Sequence, residues 1–199
     1  MRDTAPAVFI DRDGTVIREV GYLCRPQQIE ILPRVPEAIR RLRGNGYRVV
    51  LVTNQSAVAR GMLKESELEE IHRLLRNELE RVGAGLDGVY YCPHHPSEGV
   101  APYVIHCRCR KPNSGMIERA VRDLQLDLMH SYVVGDQETD MELARRSGIK
   151  GIWLRSGDAD GASIAPAQKK IDCDFIARDL WDAASWILER ALPSGVLGS

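Results

Sequence analysis

The chain has 199 residues, 44% apolar and 28% charged, a composition suited to one well-buried globular core. Its formal net charge of -1, with acids and bases interspersed, offers neither the basic stripe nucleic acid requires nor a polybasic membrane patch. The apolar run from Ala7 to Ile10 is too short for a signal-peptide core and no stretch reaches membrane-spanning length, so a cytoplasmic monomer without nucleic-acid or membrane partners is expected.

In chain order, residues 7–10 read as a first buried strand. Val35, Ile39 and Leu42 then share one face of a helix over 35–43, and 48–52 reads as a second strand. A longer helix over 65–82 carries Leu68, Ile71, Leu75 and Leu79 on one face, with Ser66 and Glu69 as its capping pair and Gly83 and Gly85 as its stop. His72 lies within that helix and is assigned no special role. Strand 89–92, helix 114–124, strand 132–134, helix 138–146 and strand 152–154 follow. A polar, Gly/Ala-rich loop over 156–170 precedes a last strand at 174–177 and a helix over 180–192. The alternation predicts an α/β fold, a doubly wound three-layer Rossmann-like parallel sheet forming a single domain over 1–199. Ligands bind such sheets where the carboxyl ends of the strands meet a crevice.

The first strand runs straight into Asp11-Arg12-Asp13-Gly14-Thr15, two carboxylates one residue apart at such an end. Phosphoryl transfer to a carboxylate needs one group to attack phosphorus and another to protonate the departing oxygen, and Asp11 and Asp13 can divide those tasks. Attack by one anion on another needs a cation between them, and a hard divalent ion such as Mg2+ suits oxygen ligands. Further acid follows the fourth strand, where Asp136 emerges from Val134-Gly135 with Asp140 one helical turn beyond. Thr53-Asn54-Gln55-Ser56 ends the second strand with a hydroxyl and amides that can donate to phosphate oxygens, and Arg110-Lys111 supplies two cations ahead of a helix. Each signal alone also fits a turn, a helix cap or a solvated pair. Their joint placement at or just beyond strand ends points to one phosphate site.

Three of the five cysteines crowd together in Cys92-Pro93-His94-His95 and Cys107-Arg108-Cys109. Two ligand-x-ligand pairs bracketing a loop over about 92–109 suit tetrahedral Zn2+, with Cys92, His94, Cys107 and Cys109 as ligands and His95 or His106 as substitutes for His94. Without an open position the ion is expected to be structural, pinning the loop ahead of Arg110 and Lys111. Cys24 and Cys173 read as ordinary packing.

With Asp11-x-Asp13-Gly14-Thr15, Thr53, Lys111 and Gly135-Asp136-x-x-x-Asp140 in this order, the chain resembles the haloacid dehalogenase superfamily over almost its whole length. The resemblance implies Asp11 as nucleophile, Asp13 as general acid and base, and Thr53 and Lys111 as phosphate clamps. It implies Mg2+ on Asp11, Asp136 and the backbone carbonyl of Asp13, with Asp140 orienting Asp136 or the lysine. The intervals between motifs are too short for a large cap domain.

The zinc loop, Gly21-Tyr22, Ala59-Arg60-Gly61 and Cys109-Arg110-Lys111-Pro112 look like the D-glycero-D-manno-heptose 1,7-bisphosphate 7-phosphatases. That resemblance implies a small phosphorylated sugar as substrate, met by Glu19, Val20, Gly21, Tyr22, Thr53, Asn54, Gln55, Ser56, Arg110, Lys111 and Gln137. Gln137 stands where these enzymes commonly carry lysine, and Ala57 where glycine is usual. The histidinol-phosphate phosphatases resemble the chain in the same motifs and form the rival reading. A zinc-stabilised binding protein without turnover is a third, which leaves the aspartates and Lys111 unexplained.

Overall fold

The computed structural model describes residues 4–155 and 171–191. Six strands lie in one parallel sheet: β1 (Ala5–Ile10), β2 (Arg48–Asn54), β3 (Gly88–Cys92), β4 (Leu126–Gly135), β5 (Lys150–Leu154) and β6 (Phe175–Ala177). Their order is β3-β2-β1-β4-β5-β6, so the chain reverses its direction of winding between β1 and β4. That switch point opens a crevice at the carboxyl ends of these two neighbouring strands.

The strands are apolar on both sides because both faces are covered. One face, with Val8, Ile10, Val49, Leu51 and Val134, packs against α1 (Val35–Gly44), α3 (Glu65–Arg81) and α6 (Leu180–Ala191). The other, with Ala7, Phe9, Val50, Val52 and Val133, packs against α4 (Gly115–Leu124) and α5 (Glu138–Ser147). The result is the expected three-layer sandwich with no large inserted cap among the described residues.

Three local expectations need correction. The fourth strand spans Leu126–Gly135 rather than 132–134: Leu126 and Asp127 in its first half pair with Ala5 and Pro6, and the register shift beyond Pro6 is bridged by Ala7 N–H donating to Ser131 Oγ at 2.9 Å. The capping pair of α3 is not Ser66 and Glu69: the helix starts at Glu65 as expected, its N-cap is Lys64, two residues before Ser66, and Lys64 N–H donates to Glu67 Oε2 at 2.7 Å. A four-residue helix, α2 (Ser56–Ala59), follows β2 directly where no helix was expected. Gly83 does end α3, in the left-handed conformation. The expected loop 156–170 and Leu192 lie outside the described residues.

Candidate active site

The loop after β1 turns on its own backbone. Arg12 C=O accepts from the N–H groups of Val16 at 2.9 Å and Ile17 at 3.0 Å, and Gly14 takes φ +71, which an L side chain resists. A Cβ at Gly14 would sit 2.2 Å from Asp136 Oδ2, so glycine is what admits the Asp136 carboxylate from the end of β4 to the β1 loop. Gly135 plays the same part toward Asp140, with a virtual Cβ 2.3 Å from its Oδ2.

Asp11 is buried, and its Oδ1 accepts from Arg12 N–H at 2.7 Å and from Lys111 Nζ at 2.8 Å. Lys111 is also buried, and its ammonium donates further to Asp140 Oδ1 at 2.7 Å and Val52 C=O at 3.2 Å. Burial alone would lower the Lys111 pKa, but the charges of Asp11 and Asp140 outweigh it and raise it above its ordinary value. Burial also pushes the Asp140 carboxyl up, with the Asp11 charge adding to it and Lys111 opposing. Asp11, Asp136 and Asp140 bring carboxylate oxygens within 4.8 Å of one another, a donor set of hard oxygens fitting a divalent cation. Both Asp140 oxygens are taken within the protein, Oδ1 by Lys111 and Oδ2 by the Gln137 N–H at 3.1 Å. Asp140 therefore fits as the anchor of Lys111 and of the α5 start better than as a ligand.

Asp13 occupies a different environment. Its Oδ1 accepts from Arg12 Nε at 3.1 Å, and its Oδ2 from Arg12 Nη2 and Gln55 Nε2, each at 2.9 Å. The same Gln55 amide donates to Thr53 Oγ1 at 2.9 Å, tying the end of β2 to the β1 loop. Asn54 exchanges both amide groups with the Lys111 backbone, at 2.9 and 3.1 Å, and so holds the lysine's segment in place. Arg110 Nη1 donates to Ser56 Oγ at 3.0 Å and to His94 C=O at 2.8 Å, linking α2 to the cysteine loop. Gln137 is exposed, with Nε2 3.3 Å from Asp136 Oδ2.

Glu19 to Tyr22 form the outer rim. Burial, then the negative charges of Asp13 and Asp136, raise the Glu19 carboxyl, which marks it as facing the carboxylate crevice. Its Oε1 accepts from Gly21 N–H at 2.5 Å, and Gly21 has φ +76. Val20 and Tyr22 are each 40% exposed, and the Arg60 guanidinium lies 5.6 Å from the Tyr22 ring centre while pairing with Glu98 at 2.5 Å. The loop that carries Glu98 thus leans on the rim.

That loop is rooted in the Cys/His cluster. Cys107 Sγ lies 3.5 Å from Cys92 Sγ and 3.2 Å from Cys109 Sγ, and His94 Nδ1 lies 3.6 and 3.4 Å from the Cys92 and Cys109 sulfurs. Those cysteines are free thiols, and the four donors lie close about one point, as metal ligation requires. His95 is the less suitable alternative, since its Nδ1 accepts from Glu98 N–H at 3.0 Å, and His106 is exposed on the loop. Tyr103 ties the loop to α3 through Glu65 at 2.9 Å.

Sequence reasoning missed two buried side chains, Arg12 and His72, joined at 3.2 Å. The available signals were an arginine between two aspartates and a histidine on the apolar stripe of α3.

Comparison with known proteins places these features in a wider group. A family profile described as haloacid dehalogenase-like hydrolase matches residues 8–71, and one described as HAD-hydrolase-like matches 108–183. The chain is 40% identical over 192 residues to the D-glycero-D-manno-heptose-1,7-bisphosphate 7-phosphatase of Thermosynechococcus vestitus, covering 94% of this chain and 98% of that one. It is 40% identical over 195 residues to the D-glycero-beta-D-manno-heptose-1,7-bisphosphate 7-phosphatase of Escherichia coli K12, covering 98% and 100%. The crystal structure of D,D-heptose 1,7-bisphosphate phosphatase from B. bronchiseptica, complexed with magnesium and phosphate, is similar with a TM-score of 0.76 at 29% identity, over 93% of this chain and 99% of that one.

Proposed function

Because the chain belongs to the D-glycero-D-manno-heptose-1,7-bisphosphate 7-phosphatase family of haloacid dehalogenase-like hydrolases, we propose that it removes the 7-phosphate of D-glycero-D-manno-heptose 1,7-bisphosphate through an aspartyl-phosphate on Asp11. The observation that carries the mechanism is the unequal treatment of two neighbouring carboxylates. Asp11 is held by the buried Lys111 ammonium, while Asp13 is held apart from it by Arg12 and Gln55. Two carboxylates in two environments suit two roles.

In this reading Asp11 attacks phosphorus and Asp13 gives its proton to the departing sugar oxygen. Asp13 then takes a proton from the water that cleaves the acyl phosphate. Lys111, fixed by Asp140, neutralises the nucleophile and the transferring group, and Thr53 donates to a phosphate oxygen. Mg2+ held by Asp11, Asp136 and the Asp13 carbonyl would supply the positive charge that lets two anions approach. Glu19, Val20, Gly21 and Tyr22 on the rim, Asn54 to Ser56, Arg110 and Gln137 would define the sugar site. At Gln137 a neutral amide serves in place of a cation. The Cys92, His94, Cys107 and Cys109 cluster supports a structural Zn2+ whose loop presents Arg110. The chain would work as one domain and a monomer in the cytoplasm. Among the described residues no helix is long and apolar enough to cross a membrane.

The test is phosphate release from heptose 1,7-bisphosphate with Mg2+, with histidinol phosphate as comparison substrate. The sugar bisphosphate is expected to turn over faster, the 7-phosphate to leave, and Asp11→Asn to be inactive. Hydrolysis in labelled water should place the label in the released phosphate and leave both the sugar oxygen and the Asp11 carboxylate unlabelled, because the second attack, like the first, falls on phosphorus. An Asp11→Asn protein that still turns over removes the covalent route.

A further inference from the structure

Arg12 heads the largest side chains that the fold buries completely, at 1% exposure, and it stands between the two aspartates. A guanidinium keeps its charge and presents N–H donors on every edge, so burial obliges the fold to meet them. Asp13 meets one edge as a two-point fork, at 3.1 Å from Nε and 2.9 Å from Nη2. The other terminal nitrogen, Nη1, reaches His72 Nε2 at 3.2 Å, and His72 is itself only 5% exposed.

His72 comes from α3, whose other buried residues are the leucines and isoleucine of the core stripe. Burial first and the Arg12 charge second push its pKa down to about 3, so the ring is neutral at working pH. A neutral ring beside a guanidinium must offer it a lone pair, which puts the ring proton on Nδ1. Nδ1 is buried and has no hydrogen-bond partner among the described residues. An orphaned donor of this kind costs about 1–3 kcal/mol, which leucine at the same place would avoid. The imidazole is therefore retained against packing, for the acceptor it turns toward Arg12.

We propose that His72 and Arg12 are positioning residues for the acid–base step: His72 fixes the guanidinium, and its fork fixes the Asp13 carboxylate against the departing oxygen. Gln55 reaches only Oδ2, so without the fork Asp13 is free to rotate about that single contact. The inference rests on the reading of Asp13 as general acid and deepens it.

The test uses an ester that needs a proton to leave and one that does not. His72→Leu and His72→Gln are compared with wild type on the sugar bisphosphate and on p-nitrophenyl phosphate, by kcat/KM, which reports the steps through leaving-group departure. His72→Leu is expected to lose about tenfold on the sugar ester, part of what a positioned acid supplies, and less than about twofold on the aryl ester. His72→Gln, whose amide oxygen can occupy the Nε2 position, is expected to regain most of the loss. Equal losses on both esters, or a glutamine no better than leucine, would overturn the proposal. If His72→Leu does not fold, Arg12→Lys, which keeps the charge without the fork, is expected to show the same selective loss, and a uniform loss there counts against the proposal equally. Wild-type protein inactive on both esters would overturn the phosphatase reading itself, whereas an active wild type with uniform losses overturns this inference alone.

Discussion

Replacing Lys111 with methionine keeps most of the side-chain volume and removes the one ammonium between Asp11 and Asp140. Their oxygens lie within 4.8 Å, and at an effective dielectric of 20 two unit charges at that separation repel by about 3.5 kcal/mol. The folded protein can escape by protonating one carboxylate, at about 1.4 kcal/mol per pH unit above the ordinary aspartate value near 3.9. That escape costs about 5.6 kcal/mol at pH 8 and only about 1.5 at pH 5, so repulsion sets the loss at high pH and protonation sets it at low pH. Lys111→Met is therefore expected to be destabilised by about 3.5 kcal/mol at pH 8, a fall in Tm of roughly 7–14 °C for a chain of this size, shrinking to less than half at pH 5. The assay is thermal unfolding with a chelator at both pH values, repeated with excess Mg2+, whose binding to the freed carboxylates should restore part of the loss. Asp140→Asn in the same background removes one of the opposed charges, and the double variant should melt above Lys111→Met. A single variant within about 2 °C of wild type at pH 8, or a loss that does not change with pH, would refute the electrostatic account of this triad.

Gly14→Ala places a methyl group 2.2 Å from Asp136 Oδ2 and forces alanine to φ +71. A carboxylate displaced by roughly 1 Å is expected to cost about 100-fold in turnover and to weaken Mg2+ in an activity titration, and an unchanged titration would count against Asp136 as a ligand. Metal analysis should find zinc at one equivalent per chain. Its removal, or Cys109→Ser, is expected to lower Tm and raise KM about tenfold while leaving kcat near wild type, because the cluster steadies Arg110 through the His94 carbonyl while Asp11 and Lys111 are held by other contacts. A fall in kcat at constant KM would place the zinc in the chemistry instead.

The sheet was legible where runs such as residues 49–52 are apolar on both faces, because burial on both sides leaves no alternation to misread. The first half of β4 was not legible, since Asp127 and His130 mask a strand held by pairing with Ala5 and Pro6 far earlier in the chain. Asp11, Asp13, Thr53, Lys111 and Asp136 could be nominated because each follows a strand or a cation pair, and the fold brings them to one edge. What spacing could not show is which atom each one touches. Asn54 and Gln55 were expected as phosphate donors, and spacing alone did not reveal that their amides also hold Lys111 and Asp13. His72 looked like one more core residue because its partner lies 60 positions away.

The stem of the cysteine loop is tied on both limbs. Cys92 is the last rung of β3, its carbonyl accepting from Gln55 N–H at 2.8 Å. On the returning limb Cys107 C=O accepts from the Asn113 side chain at 2.9 Å and Arg108 C=O from Gly115 N–H at 3.0 Å. Residues 96–105 lie beyond both ties, so changes there are expected to leave the register of Lys111 in place. The part of the loop that leans on the rim and the part that delivers the lysine are thus anchored at different places, the first on α2 and α3 through Val100 and Tyr103, the second at the stem.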